Sequence, residues 1–192
     1  MTDAPQSAGP YLKGQMLLAM PAMNDPRFER AVIYMCAHND QGAMGLVINK
    51  TLDSIDFRKL LEQLDITSSE STPATTVHFG GPVENQRGFV LHSGEYQHDE
   101  TLMIDERIGL TATLDIVRAL ARNDGPERSI LALGYTGWGP GQLEIEMHDN
   151  VWLSIPYNGE LMFEVRDDKK WERAFNSIGV DLSVLSGSAG RA

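Results

Sequence analysis

The chain has 192 residues, 42% of them hydrophobic, with 16 basic and 27 acidic side chains and a net charge of −11. A chain of this length fits one domain and can bury roughly 70% of its unfolded surface. The acidic balance disfavours diffuse binding to nucleic acid or anionic membrane, which needs clustered Lys and Arg, and one cysteine, Cys36, excludes an internal disulfide or a multi-thiolate metal site.

The opening "MTDAPQSAGP" lacks the basic start and apolar centre of a signal peptide. No apolar run reaches the roughly 18 residues of a membrane helix, so a cytoplasmic protein is expected. The polar ends, 1–10 and 186–192, are read as flexible tails around a single domain at 11–185. "GQMLLAM" (14–20) and "RAVIYMCAH" (30–38) predict strands, joined through the Pro and Asn-Asp-Pro chemistry of "PAMNDPRFE". Cys36 lies inside the second run and reads as a small buried hydrophobe. "HNDQGAM" (38–44) predicts a turn leading to a hairpin partner, "GLVINK" (45–50).

"DFRKLLEQL" (56–64) changes to helical spacing, with Phe57, Leu60, Leu61 and Leu64 on one face. The polar stretch 65–76 predicts a surface loop, and "VHFGGPV" and "GFVLHS" bracket "ENQR" as another strand pair. "TLDIVRALAR" (113–122) predicts a helix, "RSILALGY" (128–135) a buried strand and "VWLSIP" (151–156) a further strand. "DDKKWERAFNSIG" (167–179) predicts a helix ended by Gly179, with Trp171, Ala174, Phe175 and Ile178 inward. The mixed charges of "RDDKKWER" (166–173) mark a solvated face. Hairpins mixed irregularly with helices give an α+β fold class.

The segments 13–49, "HFGGPV" (78–83), "GFVLHS" (88–93) and "ALGYTGWGPGQLE" (132–144) resemble, in order and spacing, the AlgH/YqgE family of bacterial proteins. The likeness spans roughly 11–185. It implies a mixed, largely antiparallel β-sheet bent into a pseudo-barrel with helices packed outside. It also implies a cytoplasmic protein, and part of the family name refers to a regulatory role in alginate synthesis genes. No agreed catalytic residues come with the resemblance. This chain departs from it at Ile145, where the family is usually more acidic.

The segment "GYTGWGPGQLEIEM" (134–147) raises the question of a phosphate loop. Gln142 and Leu143 follow Gly141, so the Lys and hydroxyl of a P-loop are missing. Glu144 stands where a dinucleotide fingerprint needs its third glycine, and would repel pyrophosphate. The segment reads better as a strand-to-helix turn in which Trp138 plugs the core. Gly139 is the expected N-cap, Pro140 the first helical position, and Glu144 complements the helix dipole. Gly139, Gly141 and Trp138 remain candidates for a ligand or anion pocket at the helix start.

Asp25 and Arg27 in "MNDPRF" predict a local ion pair at an Asx turn, with Arg27 a candidate for polar recognition. Asn39, in "HNDQG", offers a polar rim. Gly80 and Gly81 allow close approach of a ligand or, more often, another strand. His78 and His92 fall on strands expected to be neighbours, where they could converge. No His or carboxylate set has metal spacing, and neither a catalytic set nor a cofactor motif is found. His92 and Ser93 point to opposite faces and cannot act together as base and nucleophile.

These readings favour a binding or regulatory module with a protein or small-molecule partner and no direct DNA contact. The alternatives are an enzyme whose site draws on His78, His92, Arg27 and Trp138, and a structural subunit of a homo-oligomer.

Overall fold

In the computed structural model, which describes residues 11–187, the apolar runs become the strands of one nine-stranded sheet. In chain order they are β1 (Met16–Ala19), β2 (Val32–Asn39), β3 (Gly42–Val47), β4 (Val77–Phe79), β5 (Val83–Ser93), β6 (Leu102–Met103), β7 (Ile108–Thr111), β8 (Ser129–Trp138) and β9 (Trp152–Ile155). Six helices accompany them: α1 (Phe57–Gln63), α2 (Leu114–Arg122), α3 (Gln142–His148), α4 (Gly159–Phe163), α5 (Asp167–Ser177) and α6 (Leu182–Gly187). The path β6-β7-β5-β8-β3-β2-β1-β9 is antiparallel at every step, and β4 adds a parallel pairing to β8. The tails expected at 1–10 and 186–192 lie outside the described residues apart from Ser186 and Gly187.

Alternation along the strands assigns each side chain to a core. In β1, β2 and β3, Leu18, Tyr34 and Leu46 enter one core, and Leu17, Ile33 and Val47 enter another. Phe89, Leu91 and Ile130, from the other half of the sheet, join the first core, while Val90, Leu131 and Leu133 face a third beneath α1 and α2. Both halves thus share one inner core, and the sheet is curled into a half-barrel. Leu161 and Met162 of α4, with Trp171, Ala174 and Phe175 of α5, close that inner side. Strands buried on both faces explain why "AVIYMC" is continuously apolar.

Several local expectations change. The β2–β3 turn is tighter than 38–44, with Asn39 opposite Gly42 and only Asp40 and Gln41 between them. Ile178 is 41% exposed, so it does not belong to the inner face of α5, whereas Lys170 is 3% exposed and does. The stretch 166–173 is therefore not uniformly solvated, because Lys170 turns inward to bond Asp167. Gly179 does end α5, with φ +72 and the N–H groups of Gly179 and Val180 returning to Asn176 and Phe175.

The largest correction concerns β4 and β5, which do not pair with each other. Ala132 of β8 lies opposite His78 on one edge and Phe89 on the other, so β8 separates the two strands. Residues 84–87 belong to β5. The link Gly80–Gly81–Pro82 must then pass across β8, and it does so over Gly134 and Tyr135. A Cβ on Gly80 would sit 2.2 Å from the Gly134 carbonyl oxygen, and one on Gly134 2.3 Å from that of Gly81. Gly134 also has φ +74, a left-handed conformation that favours glycine. The glycines of "HFGGPV" and "LGYTG" are thus partners in one backbone crossing, the strand-approach reading of Gly80 and Gly81.

Candidate functional site: a cleft beside the strand crossing

The crossing delivers Pro82 and Val83 to one lip of a cleft of about 700 Å³. The loop after β1 supplies Met23, Asp25, Arg27 and Phe28, and the end of β8 supplies Thr136, Gly137 and Trp138. Asn24 of the loop after β1, Gln142 and Glu146 of α3, and Val151 with Trp152 complete the lining. Three of the segments singled out in the sequence therefore meet at one place.

Aromatic rings form much of the wall. Trp152 packs edge-to-face with Phe28 (5.8 Å between centroids, 76°) and with Trp138 (6.0 Å, 81°). Both indoles are fixed by one carboxylate: Glu146 Oε2 accepts from Trp138 Nε1 at 2.9 Å and from Trp152 Nε1 at 2.7 Å. Glu146 Oε1 accepts from Gln142 Nε2 at 2.9 Å. At the rim, the Arg27 guanidinium grips Asp25 with Nε and Nη2, the latter at 2.6 Å from Oδ2. Those hydrogen bonds hold the Asp25 carboxyl below its ordinary value, against the opposing effect of burial.

α3 is anchored at its first turn. His38 Nδ1 accepts from the Leu12 N–H at 2.9 Å, which leaves Nε2 to donate to Glu144 at 3.0 Å. Leu143 is buried in the core that Leu17, Ile33 and Val47 enter. The helix begins later than expected, at Gln142 with Gly141 as N-cap (φ +72), because residues 140–141 form a turn first. Gly139, the expected N-cap, instead donates its N–H to Gln142 Oε1 at 3.0 Å, so one donor an anion would use is already occupied. Trp138 is buried in the core, as read.

The remaining candidates lie elsewhere. Asn39 sits at the hairpin tip, its side chain accepting from Gln41 N–H at 2.8 Å. His78 and His92 do not converge: strand alternation from Phe89, opposite Ala132 and His78, places His92 on the other face of the sheet. His92 is fully buried, donating from Nδ1 to the Ser93 carbonyl at 3.0 Å and accepting at Nε2 from Thr111 at 2.8 Å. Burial pushes its pKa down, with the Ser93 hydrogen bond opposing.

His78 lines a second cleft, of about 410 Å³, with Asp167 and Lys170. Its Nδ1 lies 3.1 Å from the Leu131 carbonyl and its Nε2 3.0 Å from Asp167 Oδ2. Both neighbours are acceptors, so the ring is held between the β8 backbone and α5. Asp167 Oδ1 also accepts from Lys170 Nζ at 2.7 Å, and Lys170 donates to Ile48 O at 3.0 Å. Burial raises the Asp167 carboxyl, but the bonds from His78 and Lys170 outweigh it and leave the pKa below its ordinary value. This trio ties α5 to the strands. Arg27, Trp138, His78 and His92 therefore do not assemble into one catalytic arrangement.

Sequence reading missed Glu146, Trp152, Lys170 and Asp167. The spacing of Gln142 and Glu146, four apart on a helix, is the local sign that could have found Glu146. Trp152 comes from a separate strand and carried no such sign.

Fold and site together define an α+β protein with a curled, largely antiparallel half-barrel and a cleft where its glycine- and tryptophan-bearing segments meet. The AlgH-like family model matches residues 16–183, and the chain belongs to that family. It is 50% identical over 182 residues to a UPF0301 protein of Rhodospirillum rubrum, covering 95% of each chain. It is 51% identical over 183 residues to a UPF0301 protein of a Jannaschia species, covering 94% of this chain and 95% of that one. The solution structure of AlgH from Pseudomonas aeruginosa is similar, with a TM-score of 0.80 at 40% identity, covering 98% of this chain and all of the other. A crystal structure of a Corynebacterium diphtheriae protein shares the fold, with a TM-score of 0.72 at 18% identity over 97% of this chain and 94% of that one. Among the described residues no helix is long and apolar enough to cross a membrane.

Proposed function

We propose that this protein is a cytoplasmic binding module that takes a small ligand in the cleft between the 23–28 loop and α3. Any effect on gene expression then runs through ligand or protein partner, without direct DNA contact. One observation carries this reading: a cleft of about 700 Å³ whose aromatic wall is fixed by a partly buried pair of hydrogen bonds to Glu146 and whose rim carries an ion pair. Concave, largely apolar sites with a few placed polar groups are where small molecules bind. The dispersal of His78 and His92 to separate places favours binding over catalysis. The net charge of −11 opposes contact with nucleic acid.

The test is native mass spectrometry of protein purified from its own cytoplasm, followed by tryptophan fluorescence with the released compounds. A retained small molecule that changes wild-type emission, with loss of binding in Trp152→Ala, is the expected result. A compound that binds wild type and Trp152→Ala equally, or a protein that carries no small molecule, would overturn it.

A further inference from the structure

Building on the ligand-cleft reading, we infer that the cleft selects a cation with apolar substituents, such as a quaternary or alkylated ammonium. Its charged lining consists of Asp25, Arg27 and Glu146. Asp25 and Arg27 neutralise each other through their two-pronged pair, which leaves Glu146 as the charge without an opposite. The cleft is thus net negative.

The condition of Glu146 points the same way. A carboxylate offers about four acceptor positions. Two at Oε2 are taken by the indole N–H groups of Trp138 and Trp152, and one at Oε1 by Gln142. One position at Oε1 remains for a ligand. All three partners are neutral donors, so they orient the carboxylate without cancelling its charge. An anionic ligand would meet this charge in a partly buried setting, whereas a cation would compensate it.

The rings add a second, independent attraction. Phe28 and Trp138 each stand nearly perpendicular to Trp152, at 76° and 81°, so the rings meet edge-to-face and not as a flat stack. Aromatic faces attract cations through their quadrupole, and with Trp138 and Trp152 buried and Phe28 half-buried only part of this ring surface faces a ligand. Arg27 already lies over the Phe28 ring at 5.6 Å, showing that a cation is accommodated at this rim. Met23, Val83 and Val151 supply the apolar surface that alkyl substituents would cover.

The decisive experiment uses three probes of one shape and different charge: choline, 3,3-dimethyl-1-butanol and 3,3-dimethylbutanoate. Each is titrated into the full chain and followed by the indole N–H signals of Trp138 and Trp152 in NMR. The expected order is choline first, about tenfold or more tighter than the neutral alcohol, with the carboxylate weakest. Glu146→Gln, which keeps an amide oxygen for the indoles, should bring choline to within about twofold of the alcohol. The wild-type series stands on its own if that variant fails to fold. Equal binding of choline and the alcohol would overturn the charge preference while leaving the cleft as a ligand site. A carboxylate that binds best would overturn the proposal outright, as would a complete lack of response to all three. The broader ligand-cleft reading would then be decided separately by the compounds carried from the cytoplasm.

Discussion

Replacing Asp167 by Asn tests the internal trio most severely. Asp167 accepts at once from His78 (3.0 Å) and Lys170 (2.7 Å), and the Lys170 side chain is 3% exposed. Losing one partner of a buried charge pair costs about 3–5 kcal/mol when the other is left without compensation. The Asp167 side chain is 25% exposed, so solvent already screens part of that interaction and about 2–3 kcal/mol is the better figure. For a chain of this size that is a fall in Tm of roughly 5–10 °C.

Lys170→Met should cost less, about 1–2 kcal/mol. The Met fills the same volume, and Asp167 keeps His78 and its access to water. Burial works to lower the Lys170 pKa as well, with Asp167 opposing, so the ammonium depends on that carboxylate. The assay is urea unfolding at neutral pH, repeated downwards in pH. The folded Asp167 pKa is below its ordinary 3.8, so the stabilisation is complete above that value and lost as pH falls through the lower folded one. The difference between wild type and Asp167→Asn should therefore close below pH 3.8. Equal stability of the two proteins at neutral pH, or a Lys170→Met penalty larger than that of Asp167→Asn, would refute the reasoning.

Three other outcomes follow from the packing. Gly80→Ala places a Cβ 2.2 Å from the Gly134 carbonyl and should cost about 1–3 kcal/mol or more in urea unfolding, while Gly88→Ala, with nothing within 4 Å, should stay within about 0.5. Cys36 is buried and its thiol pKa is pushed up to about 12, so a thiol reagent should react only as the protein unfolds, and fast labelling of the native state would contradict the packing. Burial holds the His92 pKa below its ordinary 6.5, so the neutral ring's contribution is complete above that value and declines as pH drops beneath it. Nitrogen NMR should show His92 with the proton on Nδ1, and a ring already charged at pH 6.5 would contradict this.

Much of the fold was legible because strand and helix periodicities are local. Asp56 caps α1 through Arg58 and Lys59 N–H groups, and Ile116, Val117 and Leu120 of α2 face the core at helical spacing. Short strands such as β6 and the five-residue α4 carry too few residues to show a period. The pairing of β4 and β5 could not be read from proximity in sequence, because β8, some forty residues later, comes between them. The same holds for the site. Trp138 and Arg27 stood out by residue type, but their common cleft depends on Trp152 and on Glu146, which binds both indoles. Lys170 was hidden by its setting, since an alternating charged stretch marks a solvated surface until one member finds a buried partner.

The three tryptophans provide the most direct test of the binding account. Trp138 and Trp152 line the cleft and bond Glu146, while Trp171 lies in the inner core with its N–H on the Ala19 carbonyl at 2.8 Å. Two-dimensional NMR of the indole N–H signals, with and without a small molecule that co-purifies with the protein, separates the two places. The Trp138 and Trp152 signals should move together while that of Trp171 stays. Ligand binding that moves Trp171 and leaves the other two unchanged would contradict it.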